Sequence, residues 1–244
     1  MNTNSFLPAI VVLTGAGISK ESGIDTFRDR DGLWTRVDLE DVATLDAWHR
    51  DKQKVLGFYN DTRKALHGAN IRPNVAHLAL ARLEQRYKGE VTIVTQNIDL
   101  LHEAAGSKQI IHMHGRDGEI RCMECGRVSE SSEDLTPASV CADCGAVGAL
   151  RPNIVWFGEM PHRMDEIGQR LDDCGLFLSI GTSGNVYPAA GFVLQTRRRG
   201  RAHTVELNLD PSDNQSLFHE HIYGPATEIV PAYVERILAG HWQR

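Results

Sequence analysis

Apolar residues along this chain fall into short unbroken runs, separated by longer stretches in which they recur every three or four positions. The first run, residues 10–14, is rich in β-branched residues and closes on Gly15-Ala16-Gly17, as a buried strand feeding a tight turn would. Residues 91–95, 110–113, 177–180 and 203–207 repeat the pattern, and Ile229 with Val230 supplies a sixth strand. Residues 46–67 read as one helix with Trp48, Val55, Leu56, Tyr59 and Leu66 as its apolar positions. A second amphipathic helix over 74–87 starts just after Pro73, and residues 232–239 close the chain as a helix. Strands that alternate with helical stretches predict an α/β fold, a doubly wound Rossmann-like parallel sheet. In such a sheet the ligand sits outside the carboxyl ends of the strands. Small and polar residues gather there, at 14–19, 96–99, 181–183 and 208–210.

Residues 121–149 break this alternation. They are polar, lack long apolar runs and hold four of the five cysteines. The expected organisation is therefore an inserted module at 121–149 within a discontinuous domain formed by residues 1–120 and 150–244. Cys122-x-x-Cys125 is followed after fifteen residues by Cys141-x-x-Cys144. Two such knuckles let four thiolates converge on one tetrahedral zinc ion. Gly126 and Gly145 follow the second cysteine of each knuckle, where the chain must turn sharply. A closed shell of four cysteines leaves no position for water, so this zinc would hold the fold rather than do chemistry. The competing reading is four unligated or disulfide-bonded cysteines. Cys174 stands apart as a small buried residue.

Composition narrows the partners more than the fold. Of 244 residues, 41% are hydrophobic and 24% charged, ordinary for a globular protein, and the net charge is −6. That balance argues against a nucleic-acid partner, which calls for a basic face. No apolar run approaches the ~18 residues needed to cross a bilayer, and the first residues do not read as a signal peptide, so no membrane partner is expected. A cytoplasmic, reducing location follows, where spaced cysteines bind metal more often than they form disulfides.

Glycines in Gly15-Ala16-Gly17-Ile18-Ser19 would let backbone amides approach a pyrophosphate, but Lys20 stands where a dinucleotide fingerprint has its third glycine. Taken alone, the loop is equally a simple tight turn. The longer stretch from Gly15 through Phe27 and Arg28 resembles the first NAD-binding motif of sirtuins. Gln96-Asn97-Ile98-Asp99 with Leu101-His102 resembles the second, and His114-Gly115 the catalytic histidine step. Gly181-Thr182-Ser183, Asn208-Leu209-Asp210 and Ala226 resemble the later adenosine-binding turns, and Trp34 joins the cofactor set. Val155-Trp156-Phe157-Gly158-Glu159 resembles the substrate-binding stretch after the zinc module. Tyr59 and the run from Val186 to Gly191 bring the likeness to bacterial class III members.

The resemblance implies an NAD-dependent deacylase acting on acylated-lysine proteins or peptides. The acyl oxygen attacks C1′ of the nicotinamide ribose, nicotinamide leaves, and the acyl group ends on ADP-ribose. His114 would be the base for a ribose hydroxyl, since an imidazole accepts a proton near neutral pH. Gly115 would leave room beside the ribose. By resemblance Asn97 and Asp99 line the nicotinamide pocket, Gln96 contacts the ribose, Arg28 meets a phosphate or ribose, and Phe27 shields the reactive carbon. Asn and Asp also cap strand-to-helix turns. His112 shares a strand face with His114, which permits a metal reading with His102 as third ligand, although no adjacent carboxylate completes a common set. Phe157, Gly158 and Glu159 on one edge, and Gly184 and Val186 on the other, would hold the peptide as an added strand.

Members that prefer acidic acyl groups carry arginine three residues after the tyrosine. Here Thr62 holds that place and Arg63 follows, about 100° further round the helix. The expectation is retained deacetylation with weakened desuccinylation. Rival readings are a mono-ADP-ribosyltransferase of the same fold and a non-catalytic NAD-binding sensor.

Overall fold

The computed structural model describes residues 7–25 and 38–242. Six parallel strands form the main sheet in the order β3-β2-β1-β7-β8-β9. They are β1 (Ala9–Thr14), β2 (Val91–Thr95), β3 (Ile110–His112), β7 (Cys174–Ile180), β8 (His203–Asn208) and β9 (Glu220–Tyr223). The order reverses at β1, whose neighbours are β2 and β7, so the crevice for a ligand opens there.

Alternation within the strands explains their unbroken apolar character. Ile10 and Val12 face one core with Ile93, Leu178 and Val205, covered by α3 (Val75–Arg86) and α7 (Ala226–Leu238). Val11 and Leu13 face the other with Val94, Ile111 and Phe177, covered by α5 (Met164–Asp173) and α6 (Phe192–Arg198). Both faces are dry, as a doubly wound parallel sheet requires.

A third core lies off the sheet. α1 (Leu45–Arg50) and α2 (Lys52–Leu66) pack Trp48, Leu56 and Tyr59 against Cys122, Cys141, Leu150 and Trp156. There the antiparallel strands β4 (Glu119–Cys122), β5 (Val128–Glu130) and β6 (Leu150–Pro152) form a small sheet. The side chain of Asn60 pairs with the backbone of Leu135 through both its amide groups, at 2.9 and 3.0 Å.

Two expectations are corrected. The helix over 46–67 is broken at Asp51, whose φ of −153° is not helical and whose carboxylate accepts the Lys54 N–H as the cap of α2. Ile229 and Val230 are not a strand. They lie in α7, where Val230, Tyr233, Val234 and Ile237 share the buried face, and the sixth strand is Glu220–Tyr223.

Candidate active site and metal centre

The first glycine loop is shaped by backbone crowding. A Cβ on Gly15 would lie 2.7 Å from the Gly181 carbonyl oxygen, and one on Gly17 only 2.6 Å from the Gly181 Cα. Gly181 has φ +63° and would meet the Ile18 nitrogen at 2.4 Å. The ends of β1 and β7 thus press backbone on backbone, and the Gly17 N–H donates to the Gly181 carbonyl at 3.0 Å. Only glycine fits both sides.

Ser19 ties this loop to the end of β2. Its hydroxyl donates to Asp99 Oδ2 at 2.9 Å, and the Asn97 amide donates to Ser19 Oγ at 3.2 Å and to the Gly15 carbonyl at 3.1 Å. Asp99 Oδ1 also accepts the Leu101 N–H at 3.1 Å, the turn-capping role open to it from sequence. Burial raises the Asp99 carboxyl above its ordinary value, against the lowering by those hydrogen bonds. Ile98 is half-buried, and its carbonyl accepts the Asp117 N–H at 2.8 Å.

His114 follows β3. Its Nδ1 lies 3.2 Å from the Gln96 carbonyl, which can only accept, so Nδ1 carries the proton and Nε2 the lone pair. Burial lowers its pKa, opposed by that hydrogen bond and assisted by nearby His162. The imidazole is therefore neutral at neutral pH. Gly115, with φ +81°, lets neighbouring backbone pass close by: a Cβ would sit 2.0 Å from the Asn153 carbonyl oxygen. His112 turns elsewhere, to Glu103 Oε1 at 2.5 Å, a carboxylate that sequence spacing did not reveal beside it. His102 is buried against Thr14 Oγ1 at 3.0 Å, and burial drives its pKa down to about 3.

The turns after β7 and β8 meet at the same edge. Asn208 donates to the Thr182 carbonyl at 2.8 Å, and Ser183 Oγ donates to Asn185 at 2.5 Å. Leu209 and Asp210 are exposed, and Ala226 opens α7. Gln96, Thr182, Ser183, Gly184 and Val186 line one cleft of about 260 Å³, counting space open to solvent. Phe27, Arg28 and Trp34 lie outside the described residues.

After β6, the Val155 N–H donates to the His114 carbonyl at 2.9 Å, and the Phe157 N–H to the Ala43 carbonyl at 2.9 Å. Phe157 and Val186 remain exposed at 60% and 40%, so their side chains are available to a partner. Gly158 takes φ +89°. Glu159 does not face outward as a free group. It holds the buried Arg151 guanidinium at 2.9 and 2.8 Å and accepts the Trp156 N–H at 2.8 Å. Arg151 in turn lies 3.4 Å over the Trp156 ring. The sequence singles out Glu159 but gives no sign of its pairing with Arg151, beyond a charged residue amid apolar ones. Tyr59 and Thr62 are buried on one face of α2, and Thr62 Oγ1 donates back to the Phe58 carbonyl at 2.9 Å.

The four expected cysteines come together: all their sulfur atoms lie within 4.8 Å of one another. Cys122 and Cys144 are 3.7 Å apart at sulfur, Cys125 and Cys141 3.8 Å. Zinc–sulfur bonds of about 2.3 Å in a tetrahedron place sulfurs roughly 3.8 Å apart, so the set fits one zinc ion. Gly126 and Gly145, at φ +73° and +74°, donate to the Cys122 and Cys141 carbonyls, closing two like knuckles. Among the described residues no other group of three or more such side chains forms a metal cluster.

Strand-end loops of this kind beside a four-thiolate module define a nucleotide-binding α/β protein stabilised by metal. The Sir2 family model matches residues 15–188, and the chain belongs to that family. It is 55% identical over 230 residues to an NAD-dependent protein deacylase of Vibrio vulnificus (strain YJ016), covering 94% of each chain. A solved Sir2 homolog–NAD complex aligns with TM-score 0.85 at 35% identity, covering 96% of this chain and 90% of that one. A Sir2 structure with a propionylated peptide aligns with TM-score 0.77 at 30% identity, covering 96% and 94%.

Proposed function

We propose that this chain is an NAD-dependent protein-lysine deacylase that removes acetyl groups and handles succinyl groups poorly. Acyl-lysine, NAD and water give free lysine, nicotinamide and O-acyl-ADP-ribose. One observation carries the reading: a neutral His114, with Nε2 as its acceptor, stands where the β1 and β2 loops meet the chain leading to Phe157.

In this reading His114 Nε2 takes the proton of a ribose hydroxyl, and the Gln96 carbonyl fixes the tautomer that allows it. Gly15 to Ser19 hold the pyrophosphate side. Asn97, Ile98 and Asp99 form the nicotinamide side, and Gly181 to Ser183 with Asn208 to Asp210 and Ala226 the adenosine side. Phe27, Arg28 and Trp34 belong with them by resemblance alone. Phe157, Gly158 and Val186 flank the peptide, Val155 helps line the acyl-lysine channel, and Glu159 sets the shape of that edge through Arg151. Cys122, Cys125, Cys141 and Cys144 hold one structural zinc, in a module for which we keep the bounds 121–149. Thiolates kept for metal suit a reducing cytoplasm. No helix among the described residues is long and apolar enough to cross a membrane.

Thr62 carries the acyl preference. A hydroxyl already bonded to the Phe58 carbonyl has little to offer a distal carboxylate, whereas arginine would give a bidentate charged pair. Matched acetyl- and succinyl-lysine peptides, incubated with and without NAD and followed by mass, test the proposal. NAD-dependent loss of acetyl, faster than loss of succinyl, is the expected outcome. Equal loss of both removes the role of Thr62. A protein that gains the mass of ADP-ribose while the peptides stay acylated identifies a transferase instead.

A further inference from the structure

Behind Tyr59 and Thr62 lies a second cleft of about 400 Å³, counting space open to solvent. Its apolar lining is Tyr59, Ile98, Ile120, Leu135, Pro152 and Ile154. Two of these residues adjoin the candidate site along the chain. Ile98 sits between Asn97 and Asp99, and Ile154 precedes Val155, whose N–H is bonded to the His114 carbonyl. Thr62 also lines the cleft, with a short side chain whose hydroxyl turns back on its own helix.

Among the polar lining residues, Arg63 carries one unspent donor. Arg63 reaches Asp134 through Nη2, while its Nη1 is buried and bonded to nothing among the described residues. An unsatisfied buried donor of this kind costs about 1–3 kcal/mol, which an incoming oxygen would recover. The surrounding charge disfavours an anion in that position. Arg63 and Arg116 face the cleft together with Asp117, Glu119 and Glu133, so negative groups outnumber positive ones. Arg116 is further neutralised by Glu119 and Glu130, and Asp134 stands behind Arg63. A carboxylate would meet a balance of like charge, whereas a neutral acceptor would not.

We infer that the cleft behind Thr62 is a distal compartment of the acyl-lysine site, built for uncharged acyl chains longer than succinyl that end in a hydrogen-bond acceptor read by Arg63. The inference rests on the deacylase reading and extends it to a substrate class. It separates length from charge: the chain rejects acidic acyl groups because of their charge, not their size.

The test uses one peptide sequence carrying acetyl-, succinyl-, hexanoyl-, adipoyl- or adipamoyl-lysine, with NAD, on the wild-type protein and on Arg63→Met. Adipoyl and adipamoyl have the same length and differ in a carboxylate against a carboxamide. The expected result is kcat/KM for adipamoyl above that for adipoyl by at least about tenfold, the scale of one charged hydrogen-bonding group misplaced. In Arg63→Met the preference for adipamoyl over hexanoyl falls, a ratio that partial unfolding would leave unchanged. Adipoyl equal to or better than adipamoyl overturns the inference in favour of carboxylate recognition. Failure of all three long groups while acetyl is removed shows that the cleft is not part of the acyl site. An unchanged adipamoyl-to-hexanoyl ratio in Arg63→Met removes Arg63 as the reader. Loss of no group at all, acetyl included, overturns the deacylase reading beneath it.

Discussion

Glu159→Ala removes the carboxylate that holds the buried Arg151 guanidinium and should destabilise the fold. Arg151 has a side chain only 1% exposed, and both Glu159 oxygens bond its guanidinium. Glu159→Ala strips that partner and orphans the Trp156 N–H as well. Breaking a buried pair from one side costs about 3–5 kcal/mol. Arg151 keeps two carbonyl acceptors, Pro152 at 3.2 Å and Ile154 at 2.7 Å, and Glu159 is itself 18% exposed. These place the expected loss at the lower end, about 3 kcal/mol. With a urea m-value near 3 kcal/mol/M, the unfolding midpoint falls by about 1 M at constant m. Glu159→Gln retains an acceptor and loses about half as much.

The pH dependence follows from the same contacts. Burial alone would raise the Glu159 carboxyl, but the Arg151 bonds, the Trp156 N–H and the Arg151 charge outweigh it and hold it below its ordinary value. A depressed carboxyl stabilises the fold above its unfolded pKa, and that contribution is lost as pH falls through the folded pKa. The stability gap between wild type and Glu159→Gln should therefore close on acidification. An Ala variant with an unchanged midpoint but a raised peptide KM would refute the argument, since Glu159 would then touch substrate and not hold Arg151.

Three further outcomes follow. Thr62→Arg should raise the succinyl-to-acetyl kcat/KM ratio by about 10–100-fold, the worth of hydrogen bonds between charged groups, and no rise in steady-state assays would count against the acyl reading. His114 has a pKa lowered chiefly by burial, so kcat/KM should stay flat through neutral pH and fall only below the ordinary histidine range near 6.5; a midpoint at or above that value contradicts the neutral-base assignment. Chelating the metal, or Cys144→Ser, should loosen the third core that Cys122 and Cys141 share with Trp48 and Trp156, read as lost near-ultraviolet circular dichroism; an unaltered spectrum with metal removed would deny the thiolates a structural role.

The parallel sheet was legible because a strand buried on both faces has no polar alternation to confuse it. Residues 91–95 needed no revision. The sixth strand was misplaced because a β-branched pair such as Ile229-Val230 fits either element, and Pro231 reads as a helix boundary. Pro231 instead lies inside α7 and splits the spacing that Val230, Tyr233, Val234 and Ile237 share. Asp51 hid the opposite way: as a helix cap within an apolar periodicity, it gave no break in the pattern.

Of the candidate site, residue types were readable but the use of each atom was not. Gly115 signals a special backbone position, yet only the fold shows that the Asn153 carbonyl fills the space. Asn97 looked free to hold a ligand, but its amide nitrogen already bonds Gly15 and Ser19, so its side chain first locks one strand-end loop against another. Glu159 is committed to Arg151 in the same way. His114 differs from both. Its one internal bond uses Nδ1, and that bond is what leaves Nε2 as an acceptor. The polar groups around the strand ends therefore divide by how many of their atoms the fold consumes. Those consumed most hold the loops in place, and the proposed base, His114, is the group whose internal contact leaves an acceptor atom open instead of occupying it.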